Sequence, residues 1–296
     1  MGERAFNTVV GDRHKWLRRL SWLPLIVTFA LLTLDVTANP ITAEESVTEV
    51  VTSFAALAAV LGFVVVGFYL SHRLPANAVG WVLAGFALCF TLTFVLEDAV
   101  AKSMVSGSAR EWLAWGGSWT WVISGALLAI FLPLLFPDGR LPSKRWKWLP
   151  RVAGGAIAMI VVANALSVEA TAPVRNPMGI PELTDLLDLV GLIGFATYAG
   201  CVVAAAISVV GRLKRSHGIA RRQMLLFVAS AAIVAIGIGT SYTLYELERP
   251  DLANLAVGFV SLTVPAAVGM AVLRYRLYDL GRIFKRTASY TVLAVV

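Results

Sequence analysis

The stretch VVTSFAALAAVLGFVVVGFYL, residues 50–70, carries no charged side chain along its whole length. A helix of about 20 residues spans the roughly 30 Å hydrocarbon core of a bilayer. In that medium every backbone N–H and C=O must be satisfied within the segment, which a helix achieves. This run therefore reads as a membrane-crossing helix. Seven further segments read the same way: 20–37, 79–96, 116–136, 152–168, 189–210, 223–243 and 254–272. The fifth is short and borrows Trp148 to Val152 at its inner end. The expected fold is all-α, a polytopic integral membrane helix bundle of eight full spans forming one domain over residues 1–272.

Composition agrees. Of the 296 residues, 58% are AVILMFWYC and 15% are charged, and mean hydropathy is +0.77. Soluble domains are nearer half apolar and a quarter charged. The net charge of +7 would suggest nucleic acid in a soluble chain. Here the cations sit in short loops between apolar runs, so the expected partner is the lipid bilayer and not nucleic acid.

The loops also orient the chain. With the N-terminus placed in the cytoplasm and the spans alternating, 21 of the 25 Lys and Arg fall on the inner side. Only Lys102, Arg110, Arg175 and Arg249 fall outside. This is the positive-inside pattern, and a miscounted span would have scrambled it. The reading is a multi-pass protein of the plasma membrane with a cytoplasmic N-terminus. A basic start followed by an apolar core resembles a signal peptide, but the apolar stretch is long for one. Trp16, Trp22, Trp81, Trp112, Trp115, Trp146 and Trp148 cluster at span ends, where indoles prefer to sit. Pro24, Pro133 and Pro265 lie inside spans, where each removes a backbone donor and kinks the helix.

Catalytic chemistry is not legible. No charged residue falls near a span centre, where ion paths and proton relays place theirs. Asp35, Glu97 and Asp98 lie at outer ends. His14, His72 and His217 belong to inner loops, away from any haem-ligating position within the spans. No phosphate-binding glycine loop, catalytic triad or metal-ligand spacing is present. The expected catalytic, cofactor-binding and metal sites are none, and the expected cofactor is none. Cys89 and Cys201, both inside spans, read as small buried hydrophobes.

Information concentrates in the inner loops. They read HRLPANAVGW (72–81), LFPDGRLPSKRW (135–146), GRLKRSHGIARRQ (211–223) and AVLRYRLYDLGRIFKRTASY (271–290). Pro137, Asp138, Gly139 and Arg140 form a candidate cytoplasmic turn, with glycine supplying the unusual backbone angle. Arg140, Lys144 and Arg145 would face anionic headgroups. In the last segment Leu273, Leu277, Leu280 and Phe284 share one helical face, with cations largely on the others. Residues 273–288 therefore read as an amphipathic cytoplasmic linker helix lying along the membrane. Its candidate signal-coupling residues are Arg274, Tyr275, Arg276, Leu277, Tyr278, Asp279 and Arg282. Residues 289–296 (SYTVLAVV) then open a ninth span without completing it, so the chain reads as the front part of a longer protein. On the outer side, RNPMGIPEL (175–183) has the Pro and Gly punctuation of turns.

Taken together and in order, these motifs resemble the multi-span N-terminal region of actinobacterial sensor histidine kinases. There the corresponding stretches read approximately RRP-x-N-P-x-G-W, LFPDGRLPS-x-RW and LRYRLYDIDR-x-x-x-RT-x-Y. The likeness covers nearly the whole chain, and LRYRLYDLGRIFKRTASY (273–290) is its most specific part. This sequence departs in having Leu280-Gly281 where the family often has Ile-Asp, and glycine costs a helix about 1 kcal/mol relative to alanine. The resemblance implies a sensor and signal-transduction region of a two-component system, acting as a homodimer. It also implies a continuation into a phosphoacceptor helix pair and an ATP-binding domain, with a response regulator as partner. No residue of that kinase core lies in this sequence, so no catalytic residue carries over. Two alternatives stand beside it: a free-standing permease or binder of small molecules or lipid, and a truncated gene product without a function of its own.

Overall fold

The computed structural model describes residues 15–38, 46–171 and 173–271. These are helical, with no strand among them. Among the described residues, eight helices are long and apolar enough to cross a membrane: α1 Lys15–Ala38, α2 Val47–Arg73, α3 Ala78–Ala101, α4 Ser108–Leu135, α5 Lys144–Leu166, α6 Pro181–Arg215, α7 Gly218–Glu246 and α8 Pro250–Gly269. Each overlaps one expected span, and five of the eight run past it at both ends; α4 and α5 end at Leu135 and Leu166, short of the expected 136 and 168. Hydropathy falls at the first charge, whereas Lys, Arg and Glu are good helix formers and let the helix continue. The segment 211–223 shows this best. It is not an extended loop: α6 runs on to Arg215, α7 starts at Gly218, and only Ser216 and His217 lie between them. Three cations in the last turn of α6 also complement the negative end of its dipole.

The prolines mark the irregularities. Pro24 follows a break at Ser21, Pro265 follows a break at Leu262, and Pro133 follows a π-helical turn at Leu127–Phe131. A proline ring clashes with the carbonyl four residues before it and offers no N–H. The helix therefore loosens on that upstream side.

Two compact units emerge. The first comprises Met1–Glu45 and Phe63–Gly211. Within it α3 packs on α1 and α4, and α4 packs on α5. Its apolar centre joins Ala126, Ile130 and Leu134 of α4 to Leu149 and Ala153 of α5 and Cys201 and Ala205 of α6. Gly67 of α2 and Gly80 of α3 bring their helices into backbone contact. A Cβ on Gly80 would lie 2.5 Å from the Ser71 nitrogen, and one on Gly67 would lie 2.5 Å from the Ala84 nitrogen. Small residues at a helix interface permit that approach where lipid supplies no hydrophobic drive for association. Thr93 of α3 adds a hydrogen bond, donating to Thr120 Oγ1 of α4 at 2.8 Å, with both side chains buried. Ser118 and Ser124 donate to carbonyls one turn back in α4, at 2.8 Å each, so their hydroxyls need no other partner. Cys89 and Cys201 are free thiols.

The second unit comprises Ser46–Gly62 and Arg212–Val296, described as far as Ala271. In it α8 lies along α7, with Ala253 and Val268 fully buried. Ser46 and Glu49 form a capping box at the start of α2: the Ser46 N–H donates to Glu49 Oε2 at 2.7 Å, and the Glu49 N–H donates to Ser46 Oγ at 3.2 Å.

Candidate functional site

The first unit brings two of the quoted motifs together at its basic end. α2 closes at Arg73, and the chain turns through Leu74, Pro75 and Ala76 before α3 starts. Asn77 is the N-cap: its Oδ1 accepts the Val79 N–H at 2.9 Å. The same amide reaches across the unit, with Nδ2 donating to the Pro137 carbonyl at 3.3 Å. Asn77 is only 6% exposed, so these bonds occupy both ends of a buried amide. Trp81 closes the loop by donating from Nε1 to the Pro75 carbonyl at 3.2 Å.

The facing turn covers residues 136–139. Phe136, fully buried, leads into it through a cis Phe136–Pro137 bond. The Gly139 N–H donates to the Leu135 carbonyl at 2.8 Å. Gly139 has φ +71°, a left-handed conformation that L side chains rarely adopt. It also lies directly against Asn77: an added Cβ would collide with Asn77 Oδ1 and the Ala78 nitrogen. Glycine is thus required twice, once by the backbone angle and once by the contact. Asp138 and Arg140 are exposed on the outside of this turn, and Pro137 is half-buried. His72 is likewise half-buried rather than solvated, with Nδ1 3.3 Å from Ser21 Oγ and its ring beside Phe68 and Trp22.

Beyond the turn, Leu141 and Trp146 pack on the apolar centre of the unit. A short 3-10 turn, Lys144–Lys147, starts α5. Arg140, Lys144, Arg145, Lys147 and Arg151 are all exposed, and among the described residues none forms a salt bridge.

In the second unit the informative contact is at the end of α8. Gln223, in the first turns of α7, donates from Nε2 to the Ala271 carbonyl at 2.7 Å. That carbonyl belongs to the last described residue, where the 273–288 segment takes over. The linker residues Arg274, Tyr275, Arg276, Leu277, Tyr278, Asp279 and Arg282, and the 289–296 run, lie outside the described residues.

At its other end the first unit is tied by Asn176, which the sequence pattern alone did not single out. It is 5% exposed and donates from Nδ2 to the Ala165 and Ser167 carbonyls at 3.1 and 2.7 Å. Its Oδ1 accepts the Met178 N–H at 2.9 Å. Trp115 Nε1 shares the Ala165 carbonyl at 2.9 Å, and Asn164 Nδ2 donates to the Ser118 carbonyl at 3.1 Å. The only available signal was the Asn-Pro pair inside RNPMG, a turn marker. Glu97 and Asp98 close α3 at this end, where Asp98 pairs with Lys102 at 2.9 Å across one helical turn. With the lysine end 52% exposed, solvent screens the pair and it contributes little to stability. Among the described residues no group of His, Cys, Asp and Glu side chains is arranged to hold a metal ion.

Eight apolar helices, backbone-to-backbone glycine contacts and hydroxyls bonded within their own helices define a multi-pass α-helical membrane protein. Its shaped polar structure lies at the helix ends. Comparison with family models, with curated proteins and with solved structures finds no match.

Proposed function

We propose that this chain is the membrane sensor region of a two-component histidine kinase, seated in the plasma membrane with its N-terminus in the cytoplasm. Support comes first from motif order: residues 72–81, 135–146, 175–183, 211–223 and 273–290 follow one another as they do in that family. The observation that carries the mechanism is the Gln223–Ala271 hydrogen bond. It ties the start of α7 to the place where the amphipathic linker begins. A shift of α8 against α7 would then be passed to Arg274 and the residues after it. In this reading the bundle detects a membrane or extracellular cue, and the linker relays it to a phosphoacceptor and ATP-binding region. That region would act as a dimer on a response regulator. Such relays work when an element has two packed arrangements and the signal biases one of them.

The first test is the reading frame beyond Val296 in the source DNA. A frame that completes a ninth span and encodes a phosphoacceptor histidine followed by an ATP-binding domain is the expected result. An authentic stop there would defeat the proposal. The second test acts on the mechanism. With a kinase core fused after the linker, replacing residues 274–286 by a flexible Gly-Ser segment of equal length should uncouple autophosphorylation from the membrane region. Gln223→Ala should shift its basal level. Unchanged phosphorylation in both would remove the relay.

A further inference from the structure

We propose that the segment from Arg140 to Arg151 is a preformed docking surface for anionic phospholipid headgroups. Three observations converge on it.

The first is charge. Arg140, Lys144, Arg145, Lys147 and Arg151 are exposed within twelve residues of sequence, and among the described residues none is neutralised by an ion pair. Lys144, Lys147 and Arg151 fall three and four residues apart, so they line one side of the start of α5.

The second is fixation. On one flank Gly139 is locked against Asn77. On the other, Leu149 is fully buried, and Leu141 and Trp146 pack on the apolar centre between them. The cations therefore project from backbone that is already ordered, which lowers the entropy lost on binding.

The third is depth. Trp148 falls on the cationic side of α5, between Lys147 and Arg151. Its ring stacks near that of Trp146, with centroids 6.5 Å apart and planes 19° from parallel. Trp148 is 48% exposed, and Val152, one turn along, is exposed too. An indole beside cations at the mouth of an apolar helix face matches the level where headgroups meet acyl chains. A soluble phosphate would use the cations and ignore the indole and Val152, so the occupant is a lipid.

The test uses the full chain in a neutral detergent, with its thermal unfolding midpoint read during titration with phosphatidylglycerol, phosphatidylcholine or inorganic phosphate. Phosphatidylglycerol should raise the midpoint while the other two leave it unchanged, and ~1 M salt, where screening acts within about 3 Å, should remove the rise. In the variant Lys144→Gln/Arg145→Gln/Lys147→Gln, the concentration giving half the rise should increase about fivefold per cation removed. The variant Lys214→Gln/Arg221→Gln/Arg222→Gln loses the same charge elsewhere and should respond like the native chain. Equal weakening in both variants would reduce the effect to net charge and overturn the site. So would an equal response to inorganic phosphate. A measurement on chains with every cation intact covers the case where the first variant does not fold. Brominated phosphatidylglycerol should quench tryptophan emission more than brominated phosphatidylcholine, and Trp148→Phe should abolish the excess. An excess that survives Trp148→Phe would place the lipid elsewhere.

Discussion

α3 and all but the last turn of α6 belong to the same unit, and both helices are apolar enough to cross a membrane, yet their surroundings differ sharply. Half of the most apolar window of α3 is buried by protein, against 17% of that of α6. α3 is held by α1, α4 and the close approach of α2. α6 shows Leu189, Leu192, Val203 and Ile207 to its surroundings. In water such a surface would be an aggregation hazard. In a bilayer it costs nothing to leave such a surface facing lipid. Apolarity says that a segment enters the membrane; only packing says which side of it meets protein. Small residues mark close packing in α3 but open surface at Gly200 of α6, and substitution separates those meanings.

The largest effect is expected at Gly80. Gly80→Leu would drive a side chain into the backbone of Ser71 and Leu70, which are rigid neighbours and not flexible tips. Overpacking of this kind costs about 3 kcal/mol or more. The loss should appear as a large fall in the unfolding midpoint of purified protein. A stable Gly80→Leu chain would mean that α2 and α3 do not meet as described.

Gly139→Ala comes next. A left-handed residue with a side chain costs about 1–2 kcal/mol, and collision with Asn77 adds to that. A total of about 2–3 kcal/mol is expected, and Asn77→Ala should reproduce part of it by removing the cap, at about 1 kcal/mol. Because both changes act on one contact, the double variant should lose less than the two losses added together. Strict additivity would show that the 72–81 and 135–146 motifs are not docked. Asn176→Ala should follow at about 2 kcal/mol, since three hydrogen bonds at roughly 1 kcal/mol each are lost while the Ala165 carbonyl keeps its bond from Trp115.

The spans were legible in the sequence because each is a long apolar run whose ends are marked by charge and by tryptophan. The turn at Gly139 was legible in kind, since Pro-Asp-Gly is a turn signal. Its partner was not. Asn77 lies 60 residues away from Pro137, and no local pattern reports a contact of that separation. The same holds for Gln223 and Ala271, 48 residues apart. The cationic ends of α6 and α7 read as loop because hydropathy and helix propensity diverge at Lys and Arg, and hydropathy was the ruler. Asn176 carried too weak a signal, a single Asn-Pro pair. Burial was the least legible property of all. α3 and α6 offer nearly the same residue types, and what distinguishes them is which neighbours the chain brings alongside.

The smallest effect tests that last point directly. Gly200 lies in the middle of α6, and a Cβ there would meet nothing within 4 Å. Gly194, earlier on the same helix, would put its Cβ 2.9 Å from Ile160 Cγ1. If the Gly200 side of α6 faces lipid, Gly200→Leu exchanges one apolar contact with lipid for another and adds helix propensity. Its effect on the unfolding midpoint should stay within about 0.5 kcal/mol, the range of substitutions away from packed features, while Gly194→Leu should be clearly destabilising. A large loss at Gly200 would mean that α6 is covered there by protein. Measuring Gly200→Leu both in dilute detergent and at high protein concentration tells whether a second copy is the cover, because only then does the loss depend on concentration.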